Sequence, residues 1–251
     1  MTAIELRPHS ETTVTVRGER RGAAWIGYAG AVMAIVLAMT FVDEPVARAV
    51  AEWPHSLTVQ IAAAAGFAKG GYLIAAAFIL ALVSFAAFLA ASGRARALFG
   101  DLSLASAFVL LATVVALACA TILKVLIGRA RPELLAIYGP HAFFPFSTSH
   151  QLTSFPSGET SMVLAFFGAM AIMARRRLGN IGAMGLLVPA LLIVASRPVV
   201  GAHYVSDVLA AALLAVLILS WMARVWERNR GRLSERQLRF WSRLHGRAAA
   251  R

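Results

Sequence analysis

The chain has 251 residues, of which only 14% are charged, and a mean hydropathy of +0.72. That is too apolar for a water-soluble globular domain. A formal net charge of +12 does not point to nucleic acid, because no base-reading motif accompanies it, and a single cysteine, Cys119, excludes an intramolecular disulfide.

A helix needs roughly 20 apolar residues to cross a bilayer. Such runs lie near 24–42, 71–92, 102–126, 158–174, 181–196 and 204–222. The fourth and fifth are short, and Pro189 interrupts the fifth. A seventh stretch, 57–68, is too short to cross and reads as an interfacial or re-entrant segment. The first run is long for a secretory h-region and follows a polar segment, so it reads as a retained helix. The expectation is an all-α bundle of six transmembrane helices over 24–222, after a cytoplasmic segment at 1–23 and before an Arg-rich cytoplasmic tail at 223–251.

Positive residues near span ends mark the cytoplasmic side. With six spans and the N-terminus inside, the inside segments hold 18 of the 24 Lys and Arg. Both termini are therefore expected in the cytoplasm. The short turns fit a bacterial inner membrane with its outer face in the periplasm. The tail ERNRGRLSERQLRFWSRLHGR sets Leu233, Leu238, Phe240, Trp241 and Leu244 among its arginines. It reads either as an amphipathic helix on anionic headgroups or as a solvated topology anchor.

The outside segments hold Arg48, Lys69, Lys124, Arg129, Arg131 and Arg197. Lys124 lies near the outer end of the third span, where a charge is expensive and usually functional. Arg129 and Arg131 follow in KVLIGRARP, and Arg197 follows the fifth span in SRPVVGAHYVSD. One such cation reads as a side chain snorkelling to the interface. Several on one face, with a Ser-Gly turn and a His, read as an anion site. Lysine offers a point charge and arginine a planar fork that matches phosphate oxygens. Ser157 and Gly158 open the fourth span, and unpaired N–H groups at a helix start suit phosphate. Gly158 allows close approach to the backbone. His203 and Asp207 are four apart, so they share one helical face. Asp207 can hold one ring nitrogen and leave the other free to attack. Zinc is a weaker reading, because His141, His150 and His203 lack metal-ligand spacing.

These residues resemble the type-2 phosphatidic acid phosphatase and vanadium haloperoxidase superfamily. Its pattern is K-x6-R-P, then P-S-G-H, then S-R-x5-H-x3-D. Here Lys124-x6-Arg131-Pro132 and Ser196-Arg197-x5-His203-x3-Asp207 match in full, and Pro156-Ser157-Gly158 is followed by Glu159 in place of the His. The matching region runs from about 102 to 222. The resemblance implies an all-helical bundle and hydrolysis of a lipid phosphomonoester or diphosphate without a metal or other cofactor. It implies that His203 is the nucleophile and forms a phosphohistidine, and that Asp207 orients it. It further implies that Lys124, Arg131 and Arg197 bind the phosphoryl oxygens with Ser157 and Gly158.

Glu159 leaves three readings open. It replaces the family acid and must then be protonated when substrate binds; or His150 or His141 folds in from the 133–155 loop; or the acid is lost, and an impaired phosphate-headgroup-binding protein or slow lipid phosphotransferase remains. The partners expected are membrane lipids and a lipid phosphate or isoprenyl diphosphate, with no nucleic acid. Phosphatidic acid, phosphatidylglycerol phosphate, undecaprenyl diphosphate and a phosphorylated lipid A all suit the motifs. The loop HAFFPFSTSHQLTSF reads equally as a lid or interfacial pad and as an ordinary packed loop.

Overall fold

The computed structural model describes residues 25–64, 66 and 70–246; the expected cytoplasmic segment at 1–23 lies outside the described residues. Helix α1 spans Trp25–Ala51 and is interrupted by a π-turn at Ala38–Val42. Pro45 lacks the N–H that a regular α-helix uses, and the ladder widens just ahead of it. This turn brings Asp43 inward, where it is 1% exposed.

Helix α2, His55–Ala64, is the described part of the expected interfacial segment; its ten residues are too few to cross a bilayer. Helices α3 (Gly70–Ala90), α4 (Gly93–Ile127), α5 (Gly158–Gly185), α6 (Leu187–Val199) and α7 (Val205–Gly246) complete the bundle. No strand occurs among the described residues, so the fold is the expected all-α class.

Five described helical stretches are long and apolar enough to cross a membrane: Trp25–Ala51, Gly71–Ala90, Gly93–Ile127, Arg177–Val199 and Val205–Arg243. The expected sixth, 158–174, is helical but is not among them. Glu159 stands at one end of that run and Arg175 to Arg177 at the other, which dilutes its apolar length. Gly179, at φ 68°, breaks α5 there and starts the return stretch, a conformation that glycine adopts cheaply.

Helix α4 packs along α3, α5 and α7, and α5 also packs on α6 and α7. Alanines make the contacts: Ala77, Ala112, Ala116, Ala165 and Ala169 are all buried beside Phe108 and Ile218. Small residues let helix backbones approach closely, which is what drives packing where lipid is the solvent. Ser84 and Ser106 add a buried hydroxyl contact of 2.9 Å between α3 and α4.

As far as residue 246 the tail is the continuation of α7, which runs unbroken through residue 222; residues 247–251 lie outside the described residues. Phe240 stacks on Phe85 with centroids 6.3 Å apart. Trp241 donates its ring N–H to the Leu89 carbonyl at 3.3 Å, and the Arg96 guanidinium lies 3.3 Å over its ring. The aromatic residues of the tail are thus spent on the α3–α4 turn.

Candidate active site

Four helix ends converge on the motif residues. Lys124 sits in the last turn of α4, whose C-cap is Gly128 at φ 64°. A Cβ at Gly128 would stand 1.7 Å from the Phe144 carbonyl oxygen, so this position admits only glycine. Gly128→Ala is expected to lose at least about 1–3 kcal/mol from the backbone conformation alone, with the clash added. Thermal unfolding of the purified variant in detergent, against wild type, measures it.

Beyond Gly128 the chain is pinned from both sides. The Ala130 N–H donates to Ala142, Arg131 N–H to Gln151, and Ser154 N–H to Arg129. These bonds hold the aromatic loop against 128–131, so it is a packed element with exposed Phe143 and Phe146 and not a free lid.

Ser157 caps α5. Its hydroxyl accepts from the Thr160 N–H at 3.3 Å, and its own N–H donates to the Asp207 carbonyl at 3.1 Å. The N–H groups of Gly158 and Glu159 then have no acceptor within the helix. Gly158 makes room for a side chain: a Cβ there would lie 3.3 Å from Lys124 Cε and 3.7 Å from its Nζ. The ammonium therefore stands at the start of α5.

His203 is 4% exposed and Asp207 is fully buried. Asp207 Oδ2 accepts from the Tyr204 N–H at 3.0 Å, which caps the start of α7 in the manner of a capping box. The same oxygen accepts from the Ser154 hydroxyl at 2.5 Å and lies 3.5 Å from His203 Nδ1. Ser154 Oγ is also 3.2 Å from Nδ1. A hydroxyl has one proton to give, and Ser154 gives it to Asp207. It therefore accepts from Nδ1, which places the ring proton on Nδ1 and leaves the Nε2 lone pair free.

Burial holds His203 below the ordinary imidazole value of 6.5; the hydrogen bond and charge of Asp207 oppose this, and the cations of Lys124 and Arg131 reinforce it. Arg131 is tied to the same place. Its Nε donates to the His150 carbonyl at 2.8 Å and its Nη1 to the Ala202 carbonyl, next to His203, at 3.1 Å.

Arg129, counted in sequence among the converging cations, has a different place. Its guanidinium is fully buried, and every N–H is committed: Nε and Nη2 to the Pro140 carbonyl, Nη1 to Ser206 Oγ and Asp207 Oδ1, and Nη2 to Asp43 Oδ2. It has no donor left for a phosphate.

Arg197 is buried at the end of α6. Its Nη1 donates to Glu159 Oε2, forming an ion pair across α5 and α6. A cleft of about 840 Å³ opens beside Arg197, lined by Val59, Ala62, Ala63, Gly66, Tyr72 and Val200. Of the two other histidines offered as proton donors, His141 has a ring nitrogen 3.0 Å from the Met39 carbonyl on α1. His150 is exposed beside Arg131, whose charge is the main cause of its lowered pKa.

The PAP2 superfamily model matches residues 105–231, which contain every motif above. This chain belongs to the PAP2 superfamily. It is 32% identical over 178 residues to a lipid A 1-phosphatase of Rhizobium johnstonii, across 70% of each chain. It is 33% identical over 178 residues to a lipid A 1-phosphatase of Rhizobium etli, across 70% of this chain and 74% of that protein. No solved structure matches. The chain is thus an integral membrane member of the PAP2 superfamily, with its motif residues gathered at one end of an all-α bundle. Sequence reasoning missed Asp43 and Ser154. Asp43 carried a usable signal, a carboxylate at the end of an apolar run; Ser154 carried none.

Proposed function

We propose that this chain is a lipid phosphate phosphatase that works through a phosphohistidine on His203. The observation that carries the reading is the buried His203 ring, whose Nδ1 lies against Ser154 and Asp207 and whose pKa is lowered by burial and by the charges of Lys124 and Arg131. In the proposed reaction Nε2 attacks phosphorus, the bond from phosphorus to the leaving oxygen breaks, and a proton joins that oxygen. Water then attacks the phosphohistidine and loses a proton to a base as the bond from phosphorus to Nε2 breaks, which releases phosphate and restores the free ring. Lys124, Arg131 and the open N–H groups at the start of α5 hold the oxygens on which charge collects. Arg197 joins them once Glu159 gives way. Asp207 stabilises the cationic ring formed on attack.

The apolar cleft beside Arg197 suits a hydrocarbon chain running from a headgroup held at the site. Similarity to two lipid A 1-phosphatases puts a phosphorylated lipid A first among the candidate substrates. We place the site on the periplasmic face of a bacterial inner membrane, from the bias of Lys and Arg. The second reading, a phosphate-binding protein with impaired turnover, is favoured by the Glu159–Arg197 pair, which occupies a phosphate cation.

The test is phosphate release by purified protein from lipid A 1-phosphate, phosphatidic acid and an isoprenyl diphosphate. Release from at least one lipid, inhibited competitively by vanadate, supports the enzyme; binding without release supports the second reading. The pH profile gives a further check. The nucleophile must be neutral, and burial lowers its pKa. The acid limb of kcat/KM, which reports the free enzyme, is therefore expected below the ordinary imidazole range. Activity should persist as pH falls through 6.5; a limb above that value contradicts the assignment.

A further inference from the structure

Asp43 lies 164 positions before Asp207 in sequence, yet one guanidinium joins them. Arg129 Nη2 is 2.9 Å from Asp43 Oδ2 and Nη1 is 2.7 Å from Asp207 Oδ1, with all three side chains fully buried. Asp43 also accepts from the Ser206 N–H at 2.9 Å and from the Ser206 hydroxyl, at the start of α7. The Arg129 guanidinium carbon lies 4.2 Å over the centre of the Tyr204 ring. The linkage is hydrogen-bonded at every joint and ends on the carboxylate that faces His203.

Charge decides what this linkage does. An arginine paired with Asp207 alone would cancel the negative charge that His203 needs when its ring becomes cationic. Two carboxylates around one guanidinium leave one net negative charge in a place from which water is excluded. We infer that Asp43, on the first membrane helix, is a positioning residue for phosphoryl transfer: it neutralises and fixes Arg129 so that Asp207 keeps its charge and orientation for His203. Most of α1 is exposed beyond the bundle, and this carboxylate, buried next to the π-turn, ties the helix to the site. π-Turns are frequent at functional positions.

The inference rests on His203 as the nucleophile and is tested by charge. The groups that bear on His203 are Asp207 from α7 and Lys124 and Arg131, from α4 and the following loop. Glu133 and His150 lie beside Arg131. Glu159 and Arg197 from α5 and α6 are paired with each other, and Asp43 from α1 acts through Arg129. Asp43→Asn removes one negative charge and leaves the others. It is expected to lower kcat about ten- to a hundredfold with little change in KM, and to move the acid limb of kcat/KM to lower pH by about half a unit or more.

Arg129→Lys keeps the charge and loses the fork, so its kcat is expected to fall with the limb unmoved. Loss of a buried partner can prevent folding. Asp43→Glu, which preserves the charge, then carries the test and is expected to keep the wild-type limb. An Asp43→Asn protein with the wild-type limb, whatever its kcat, overturns the inference; so does a folded Asp43→Glu protein with a displaced limb. Nitrogen NMR titration of the His203 ring in detergent reads the same shift without turnover. Failure of the phosphatase reading therefore leaves this test decisive.

Discussion

His203→Ala is expected to reduce phosphate release by at least about 10⁴-fold, the scale on which a lost nucleophile is felt. The loss should fall on kcat, with lipid affinity nearly retained, because Lys124, Arg131 and the start of α5 remain to hold the phosphate. A labelled lipid phosphate should transfer its label to wild-type protein as an acid-labile, alkali-stable adduct and leave the alanine variant unlabelled. Equal release by the two proteins would remove His203 from the mechanism. Asp207→Asn should cost less than His203→Ala, since Ser154 still contacts Nδ1. That variant also loses the charge facing Arg129 and part of the α7 cap, so its rate is meaningful only beside a wild-type unfolding curve. The losses of His203 and Asp207 should not add, because the pair acts as a unit.

The gathering of Lys124, Arg131, His203 and Asp207 at one end of the bundle was legible because their chemistry is carried by residue type at fixed spacing. Lys124 and Arg131 straddle a helix end, and His203 and Asp207 are four apart, so local geometry alone nearly places them. The place of Arg129, counted among the converging cations but given no phosphate role, was not legible for the opposite reason. Nothing in GRARP says which arginine turns inward, because that depends on Asp43, 86 residues earlier. Drawing the first span to end at residue 42 put Asp43 just outside it, whereas the helix continues to Ala51. The role of Gly158 was likewise half visible. Its lack of a side chain was read as room for a ligand, and it also makes room for Lys124. The all-α class followed from the apolar runs. The count of six rests on 158–174, which is helical but carries charge at both ends and is not among the five long apolar stretches. The tail's two readings both omitted a third partner, since the α3–α4 turn that receives Phe240 and Trp241 is distant in sequence.

Glu159 is where this chain departs from the family pattern, and its position makes a double prediction. Its carboxylate pairs with Arg197, one of the cations assigned to phosphate. Substrate must displace it, and the displaced carboxylate then stands beside a phosphate anion. Glu159→Gln is therefore expected to tighten substrate or vanadate binding, because Arg197 no longer has a competing anion. The same substitution should lower kcat for lipid substrates by about 10²–10⁴-fold, the usual cost of a lost general acid.

The leaving group separates this role from a structural one. An alkyl or sugar oxygen needs a proton as it departs, whereas nitrophenolate does not. Release from p-nitrophenyl phosphate should therefore be little affected in Glu159→Gln, and His150→Ala should leave both substrates unaffected. Glu159→His, which restores the family residue, should keep lipid turnover and carry it to higher pH. Equal loss on both substrates would mean that Glu159 only shapes the site. An unchanged lipid rate in Glu159→Gln, with loss in His150→Ala, would move the proton to the exposed histidine beside Arg131.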